Sequence, residues 1–80
     1  MPTIFKRLDV RPLVAKGTEP FSRIRSRVDA LKTGEGLTVI APFLPSPLIE
    51  KLNSEGFRST AQHQPDGAWA VSFWRDEPAA

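Results

Sequence analysis

Apolar and polar positions divide the chain into six regular segments, the first of which is a strand. In residues 5–10 (FKRLDV), Leu8 and Val10 fall on one side, and Arg7 and Asp9 fall on the other. This alternation is the pattern of a strand with one buried face.

A loop and a helix follow the first strand. Residues 11–19 contain a proline and a glycine without periodicity and predict a loop. Residues 20–32 predict a helix, in which the opening proline suits the first turn and Thr18 or Glu19 supplies the capping oxygen. Gly34 is expected to close this helix as a left-handed cap. The helix carries one narrow apolar stripe at helical spacing: Phe21, Ile24, Val28 and Leu31.

A second strand and a second helix come next. Residues 36–43 (GLTVIAPF) are rich in β-branched side chains on both faces and predict a central strand that ends at its proline. Ser46 is expected to cap the second helix and Pro47 to take its first position. Gly56 should end the helix, with Phe57 folding back onto it. The apolar stripe of this helix is Leu48, Ile49 and Leu52.

Two extended runs joined by Pro-Asp-Gly, residues 57–64 and 68–75, predict a terminal hairpin. In its second strand Trp74 is the large apolar side chain least easily placed in the core. The order strand, helix, strand, helix, strand, strand predicts a two-layer α/β sandwich. Its four-stranded mixed sheet should carry both helices on one face and leave the other face open to solvent or to a partner.

The composition describes one small globular domain, residues 1–80, with an ordered core over about 5–75 and a flexible tail at 76–80. Apolar residues make up 40% of the chain and charged residues 25%. Because the chain has no cysteine, disulfides, thiolate metal sites and thiol nucleophiles are excluded. The chain has no apolar run near the length of a membrane span, so we expect a cytoplasmic protein without membrane association.

Charge is unevenly distributed, at +5 over residues 1–32 and −3 over residues 33–80. The basic half could bind an anion or nucleic acid, or it could be a solvated surface. Arg25 is spaced to pair with Asp29, and Asp9 and Arg11 are spaced to pair with each other. Eight residues are candidates for binding a ligand or partner: Asp9, Arg11, Lys16, Thr18, Glu19, Arg23, Arg27 and Trp74.

Catalytic chemistry finds no support in the sequence. His63 is the only histidine, so neither a metal cluster nor a catalytic triad can be assembled around it. The carboxylates form no recognisable pair, and there is no glycine-rich phosphate loop. We therefore expect no enzyme activity, no metal and no cofactor.

Several short motifs, in order, resemble those of the TusA/SirA-like group of small bacterial proteins. They are Leu8-Asp9 at the first strand, Gly17-Thr18-Glu19-Pro20 at the first helix and Thr33-Gly34-Glu35-Gly36-Leu37 before the second strand. The fit is closer to an uncharacterised branch, a domain of unknown function, through Leu8-Asp9-Val10-Arg11, Glu19-Pro20, Pro45-Ser46-Pro47-Leu48, Glu55-Gly56-Phe57 and Trp69. Many members of that branch have histidine and aspartate where this chain has Ala41, Pro42, Phe43 and Leu44.

The resemblance implies a sulfur-carrier fold without its chemistry. In the sulfur-carrying relatives a cysteine precedes the first helix, and here Gly17 takes its place. The leading hypothesis is a non-catalytic adaptor that binds another protein at the start of the first helix or on the open sheet face, where a second copy could also bind. The alternative is an anionic-ligand or nucleic-acid binder that uses Lys6, Arg7, Arg11, Arg23, Arg25 and Arg27.

Overall fold

The computed structural model describes residues 4–75 and confirms the predicted fold class, a four-stranded mixed sheet packed against helices. The predicted flexible tail, 76–80, lies outside the described residues. None of the described helices is long and apolar enough to cross a membrane. The elements in chain order are β1 (Ile4–Asp9), α1 (Arg11–Ala15), α2 (Phe21–Asp29), β2 (Glu35–Ala41), α3 (Ser46–Ser54), β3 (Arg58–His63) and β4 (Trp69–Trp74).

The strands lie in the order β1-β2-β4-β3. β1 runs parallel to β2, with Leu8 opposite Val39. β4 runs antiparallel to both neighbours, and its Val71 lies opposite Val39 on one side and Ala61 on the other. The two β-branched residues thus occupy the centre of the sheet, where both are fully buried.

The core lies between one face of the sheet and the two longer helices. Alternate strand residues supply the sheet side of this core: Leu8, Leu37, Val39, Ala41, Val71 and Phe73. From the other layer, α2 buries Ile24 and Val28, and α3 buries Leu48 and Leu52. The predicted helical stripes are therefore confirmed at their centres, whereas Phe21 at the end of the first stripe remains exposed.

The predicted ending of α3 is confirmed in detail. Gly56 adopts a left-handed backbone with φ of +91°. Its N–H donates to the Asn53 carbonyl at 3.2 Å, and the Phe57 N–H donates to the Leu52 carbonyl at 3.0 Å. This is the Schellman pattern, and the buried side chains of Leu52 and Phe57 complete its hydrophobic contact.

The prediction of a loop over 11–19 is wrong in its first half, which forms the five-residue helix α1. Pro12 lies in the first turn, where no amide partner is needed. The Val14 N–H donates to the Val10 carbonyl at 3.0 Å, and the Arg11 N–H donates to Asp9 Oδ1 at 3.0 Å. The fold therefore has three helices instead of the predicted two.

Two predicted helix ends are also wrong. α2 ends at Asp29, several residues earlier than expected, because Leu31 leaves the helix and packs against the core. Gly34 has φ of +83° but lies in the turn before β2 and does not cap the helix. At α3, Ser46 lies inside the first turn instead of capping it, and its N–H donates to the Leu44 carbonyl at 2.9 Å.

Candidate functional site

An apolar pocket of about 160 Å³ lies where α2 and α3 both begin. Every side chain that lines it is apolar: Val10, Pro20, Phe21, Ile24, Val39, Ala41, Phe43, Pro45, Pro47 and Leu48. Without an ionisable group in its wall, the pocket suits an apolar side chain or ring and offers no acid, base or nucleophile.

Three of the residues that line the pocket are prolines. Pro20 precedes α2, and Pro45 and Pro47 flank the first residue of α3. At the start of a helix the missing proline amide costs nothing, because the first amides have no intrahelical partner. The proline ring also fixes φ at each of these positions and so restricts the backbone beside the pocket.

Large apolar side chains are exposed around this pocket. Phe21 is 39% exposed, Phe43 50% and Leu44 39%, although Phe21 and Phe43 also line the pocket. Exposed apolar residues grouped in this way mark interaction surfaces. The sequence prediction gave the second strand residues 36–43 with Pro42 marking its end, and it did not select Phe43 as a binding residue; the strand ends at Ala41. The position of Phe43 between two prolines was the available signal that it lies in an exposed loop.

The start of α2 is closed by Glu19, one of the two predicted capping residues. Its carboxylate accepts hydrogen bonds from the Phe21 N–H, from the Ser22 N–H at 3.2 Å and from the Ser22 hydroxyl at 3.1 Å. A bound anion at this helix start would have to displace that carboxylate. Thr18 and Lys16 lie exposed in the connection before it.

Gly17, at the position where the TusA/SirA-like resemblance expects a cysteine, closes α1. Its φ is +75°, and its N–H donates to the Val14 carbonyl at 3.0 Å. The Thr18 N–H donates to the Leu13 carbonyl at 2.9 Å, which completes a second Schellman ending. Any side chain at this position would be held in a backbone region that non-glycine residues rarely adopt.

Asp9 and Arg11 pair as their spacing predicts, and the structure adds a third residue to them. Arg11 donates from Nε to Asp9 Oδ1 at 3.0 Å and from Nη2 to Asp9 Oδ2 at 2.7 Å. Its Nη1 donates to Asp66 Oδ2 at 3.1 Å, across 55 positions of sequence. Arg11 therefore joins the end of β1 to the turn between β3 and β4, and the sequence carried no signal for that contact.

Both carboxyl groups of this cluster are acidified by their partners. The hydrogen bonds from the Arg11 side chain lower the pKa of Asp9. The Ala68 N–H, which donates to Asp66 at 3.0 Å, is the largest cause that lowers the pKa of Asp66, and the charge of Arg11 adds to it. The pair and its turn are thus held most firmly while both carboxylates are ionised.

We expect acid to weaken the fold through Asp9. Its folded-state pKa lies below the unfolded value of about 3.9, so the Arg11 pair stabilises the fold above that pH. The contribution is lost as the pH falls through the folded-state pKa. Urea unfolding at about pH 7, 4 and 3 should show a falling midpoint for the wild type and a smaller fall for Asp9→Asn. An equal fall in both proteins would show that Asp9 plays no part.

A shallow depression of about 270 Å³ lies beside the cluster on the open side of the sheet. Its lining residues are Arg7, Arg11, Ile40, Gln64, Pro65, Asp66 and Ala68. The positive charges of Arg7 and Arg11 are balanced there by the carboxylates of Asp66 and Asp9. The depression therefore provides no net positive charge to attract an anion.

The predicted basic row on α2 is exposed. Arg23 and Arg27 lie one turn apart, and neither side chain forms a hydrogen bond or an ion pair with another residue of the range 4–75. Arg25 pairs with Asp29 at 3.0 Å, as predicted, and also with Glu55 at 2.6 Å. Arg25 thus connects α2 to the end of α3, whereas Arg23 and Arg27 have no carboxylate partner among the described residues.

Trp74 lies on the open face of the sheet, as predicted, and is half-buried there. Its ring packs edge-on against Phe5, with centroids 6.0 Å apart and planes at 86°. The Phe5 ring itself covers Gly36. Part of Trp74 therefore serves the packing of this face, and the binding of a second copy there stays a prediction.

Of the comparisons with known proteins, the one with protein families gives a match. A family model described as "Uncharacterized conserved protein (DUF2249)" matches residues 7–75. No curated protein and no solved structure matches the chain. Within the described range 4–75, no group of three or more His, Asp or Glu side chains could hold a metal ion. The family match covers the whole apolar pocket and the Asp9–Arg11–Asp66 cluster.

Proposed function

The chain belongs to the family of uncharacterised conserved proteins DUF2249, and from this premise we propose that it is a non-catalytic domain that binds another protein. The observation that carries the proposal is the exposure of Phe21, Phe43 and Leu44 around an entirely apolar pocket. Apolar anchors set in pockets supply most of the binding energy of protein interfaces. A site of this composition can bind but has no group that transfers protons or electrons.

A relationship to the TusA/SirA-like group is part of this proposal. Apart from the five-residue α1, the element order β-α-β-α-β-β supports it, as do Leu8-Asp9 at the end of β1 and Glu19-Pro20 at the start of α2. Persulfide transfer needs a thiolate, and the chain has no cysteine. We therefore propose that this protein keeps the partner-binding role of such a scaffold without the transferred sulfur.

Nucleic-acid binding through the basic half is the weaker candidate. Three of the six proposed basic residues are paired with carboxylates: Lys6 with Glu35, Arg11 with Asp9 and Asp66, and Arg25 with Asp29 and Glu55. Pairing of this kind reduces the charge available to phosphates. The exposed aromatic side chain of α2, Phe21, lines the apolar pocket, and aromatic residues do not interleave with these basic residues in a recognised RNA-binding pattern.

A comparison of matched variants tests the proposal. Immobilised wild-type protein is compared with Phe43→Ser/Leu44→Ser and with Ile4→Ser, a control that changes an apolar side chain 69% exposed at the opposite end of the sheet. We expect wild type and control to capture the same protein from a cell extract. The complex should then be reconstituted from two purified components.

The measured quantity is the Kd of that reconstituted complex. The double variant should weaken it by about 10-fold or more, while the Tm and the circular dichroism spectrum stay those of the wild type. The Ile4→Ser control should leave the Kd unchanged. Equal binding by all three proteins, or no partner that binds in purified form, would overturn the proposal.

A further inference from the structure

The size of the apolar pocket limits what can enter it. Its volume of about 160 Å³ is close to that of an engineered apolar cavity of about 150 Å³ that accepts benzene. Sites for drug-sized molecules are larger, at about 300–1,000 Å³. The pocket therefore fits one aromatic ring or one large aliphatic side chain.

The lining of the pocket narrows this choice further. None of its ten side chains carries a hydrogen-bonding group. A hydroxyl or an indole N–H placed inside would lose its water partners without replacement. Phe21 and Phe43 on the wall provide ring edges and faces for an aromatic guest. A phenyl ring suits this wall better than a tyrosine or tryptophan ring.

Two arginines of α2 near the pocket indicate which residues accompany the bound ring in the partner. On α2, Arg23 lies one turn from Pro20, and Arg27 lies one turn from Ile24, two residues of the pocket wall. Both arginines are exposed, and their side chains form no hydrogen bond or ion pair within residues 4–75. The nearby Glu19 carboxylate is already engaged by the first amides of α2. On the α2 side of the pocket, the charge that has no partner among residues 4–75 is therefore positive and complements acidic residues.

We infer that the pocket binds a phenylalanine side chain carried by an acidic segment of the partner protein. The inference rests on the proposed function and specifies the chemistry of its ligand. The ring fills the apolar pocket, and carboxylates next to it in sequence lie against Arg23 and Arg27. The apolar contact provides affinity, and the charges select acidic segments over basic ones.

The test uses a synthetic peptide of known composition as the probe. Isotope-labelled full-length protein is titrated with acetyl-Asp-Glu-Phe-Glu-Asp-amide and followed by the shifts of its amide signals. The comparison peptides replace the phenylalanine with alanine, or the four acids with lysine. We expect weak binding, with a Kd of about 1 mM, and shifts centred on Phe21, Ile24 and Phe43. Both comparison peptides should bind at least about 3-fold more weakly.

Variants and salt identify the role of the arginines. Arg23→Gln/Arg27→Gln should weaken peptide binding by about 3- to 10-fold at unchanged Tm. Arg7→Gln, on the open face of the sheet, is the matched control and should leave binding unchanged. Raising NaCl from about 50 to about 500 mM should weaken wild-type binding.

The outcomes separate the inference from the proposed function. Shifts centred elsewhere, equal binding of the alanine or lysine peptide, or no effect of the double arginine variant would overturn the inference. If the acidic peptide fails while a purified partner still requires Phe43 and Leu44, only the ligand chemistry is wrong and the protein-binding function stands. If neither binds, both are overturned.

Discussion

Replacing Phe73 with alanine is expected to lower the free energy of unfolding by about 3–5 kcal/mol. Phe73 is fully buried, and it is the largest of the side chains with no exposed surface. It lies on the core face of β4, between Leu37 of β2 and Ser59 of β3. A domain of 80 residues has a total stability of about 4–12 kcal/mol. The loss therefore amounts to at least about a quarter of the total stability of the domain.

Urea unfolding followed by circular dichroism measures this effect. The matched control is Phe43→Ala, which truncates the same side chain at a position that is 50% exposed and should change stability by about 0.5 kcal/mol or less. Phe73→Leu should fall between the two because it leaves a smaller cavity. If Phe73→Ala and Phe43→Ala cost the same, the assignment of Phe73 to the core is wrong.

Replacing Gly36 with valine is expected to destabilise the protein by about 1–3 kcal/mol, although valine is favoured in strands in general. A Cβ at Gly36 would lie 2.5 Å from Cε1 of Phe5 and 2.8 Å from the carbonyl oxygen of Phe73. The Phe5 ring can move, but the carbonyl belongs to the backbone of a central strand. The substitution therefore displaces Phe5 from its contact with Trp74 and strains the ladder between β2 and β4.

Two further variants separate these causes. Thr38→Val introduces the same side chain into the same strand and face at a position that already carries a Cβ, although it removes a hydroxyl contact of 2.9 Å with Ser72. It should cost less than Gly36→Val. Combining Gly36→Val with Phe5→Ala should recover part of the loss, because the ring no longer obstructs the new methyl groups. A Gly36→Val protein as stable as the wild type would contradict the predicted clash.

The regular elements of this fold could be predicted because their signals are local. Each signal involves residues that are close together in sequence. Examples are the apolar stripe of α2, the alternation of side chains in β4 and the glycine at the end of α3. The short helix α1 could not be predicted in this way. Five residues are too few to show a period or to be stable alone. Packing of Leu13 against the core and the ties of Arg11 to Asp9 and Asp66 hold it in place.

The candidate site was only partly predictable, because some of its contacts join residues that are far apart in sequence. The spacing of Asp9 and Arg11 predicted their pair, and Glu19 was one of the two predicted caps of α2. Asp66 and Glu55 are far from their arginine partners in sequence, so no spacing rule connects them. The pocket was not predicted, because its wall combines Val10 with parts of two helices and a strand end.

Sequence patterns and composition are sufficient to give the order of the strands and the two longer helices along the chain, the faces that become the core and the absence of thiol chemistry. The elements and their buried faces follow from periodicity and turn residues, which are properties of short stretches of chain. The absence of thiol chemistry follows from composition. Only the packed structure shows that Phe21 and Phe43 line one pocket, with Leu44 exposed next to Phe43. Only the packed structure shows, too, that Arg23 and Arg27 have no carboxylate partners within residues 4–75. Those properties depend on how the helices meet the sheet, and contacts between distant segments form only when the whole core packs.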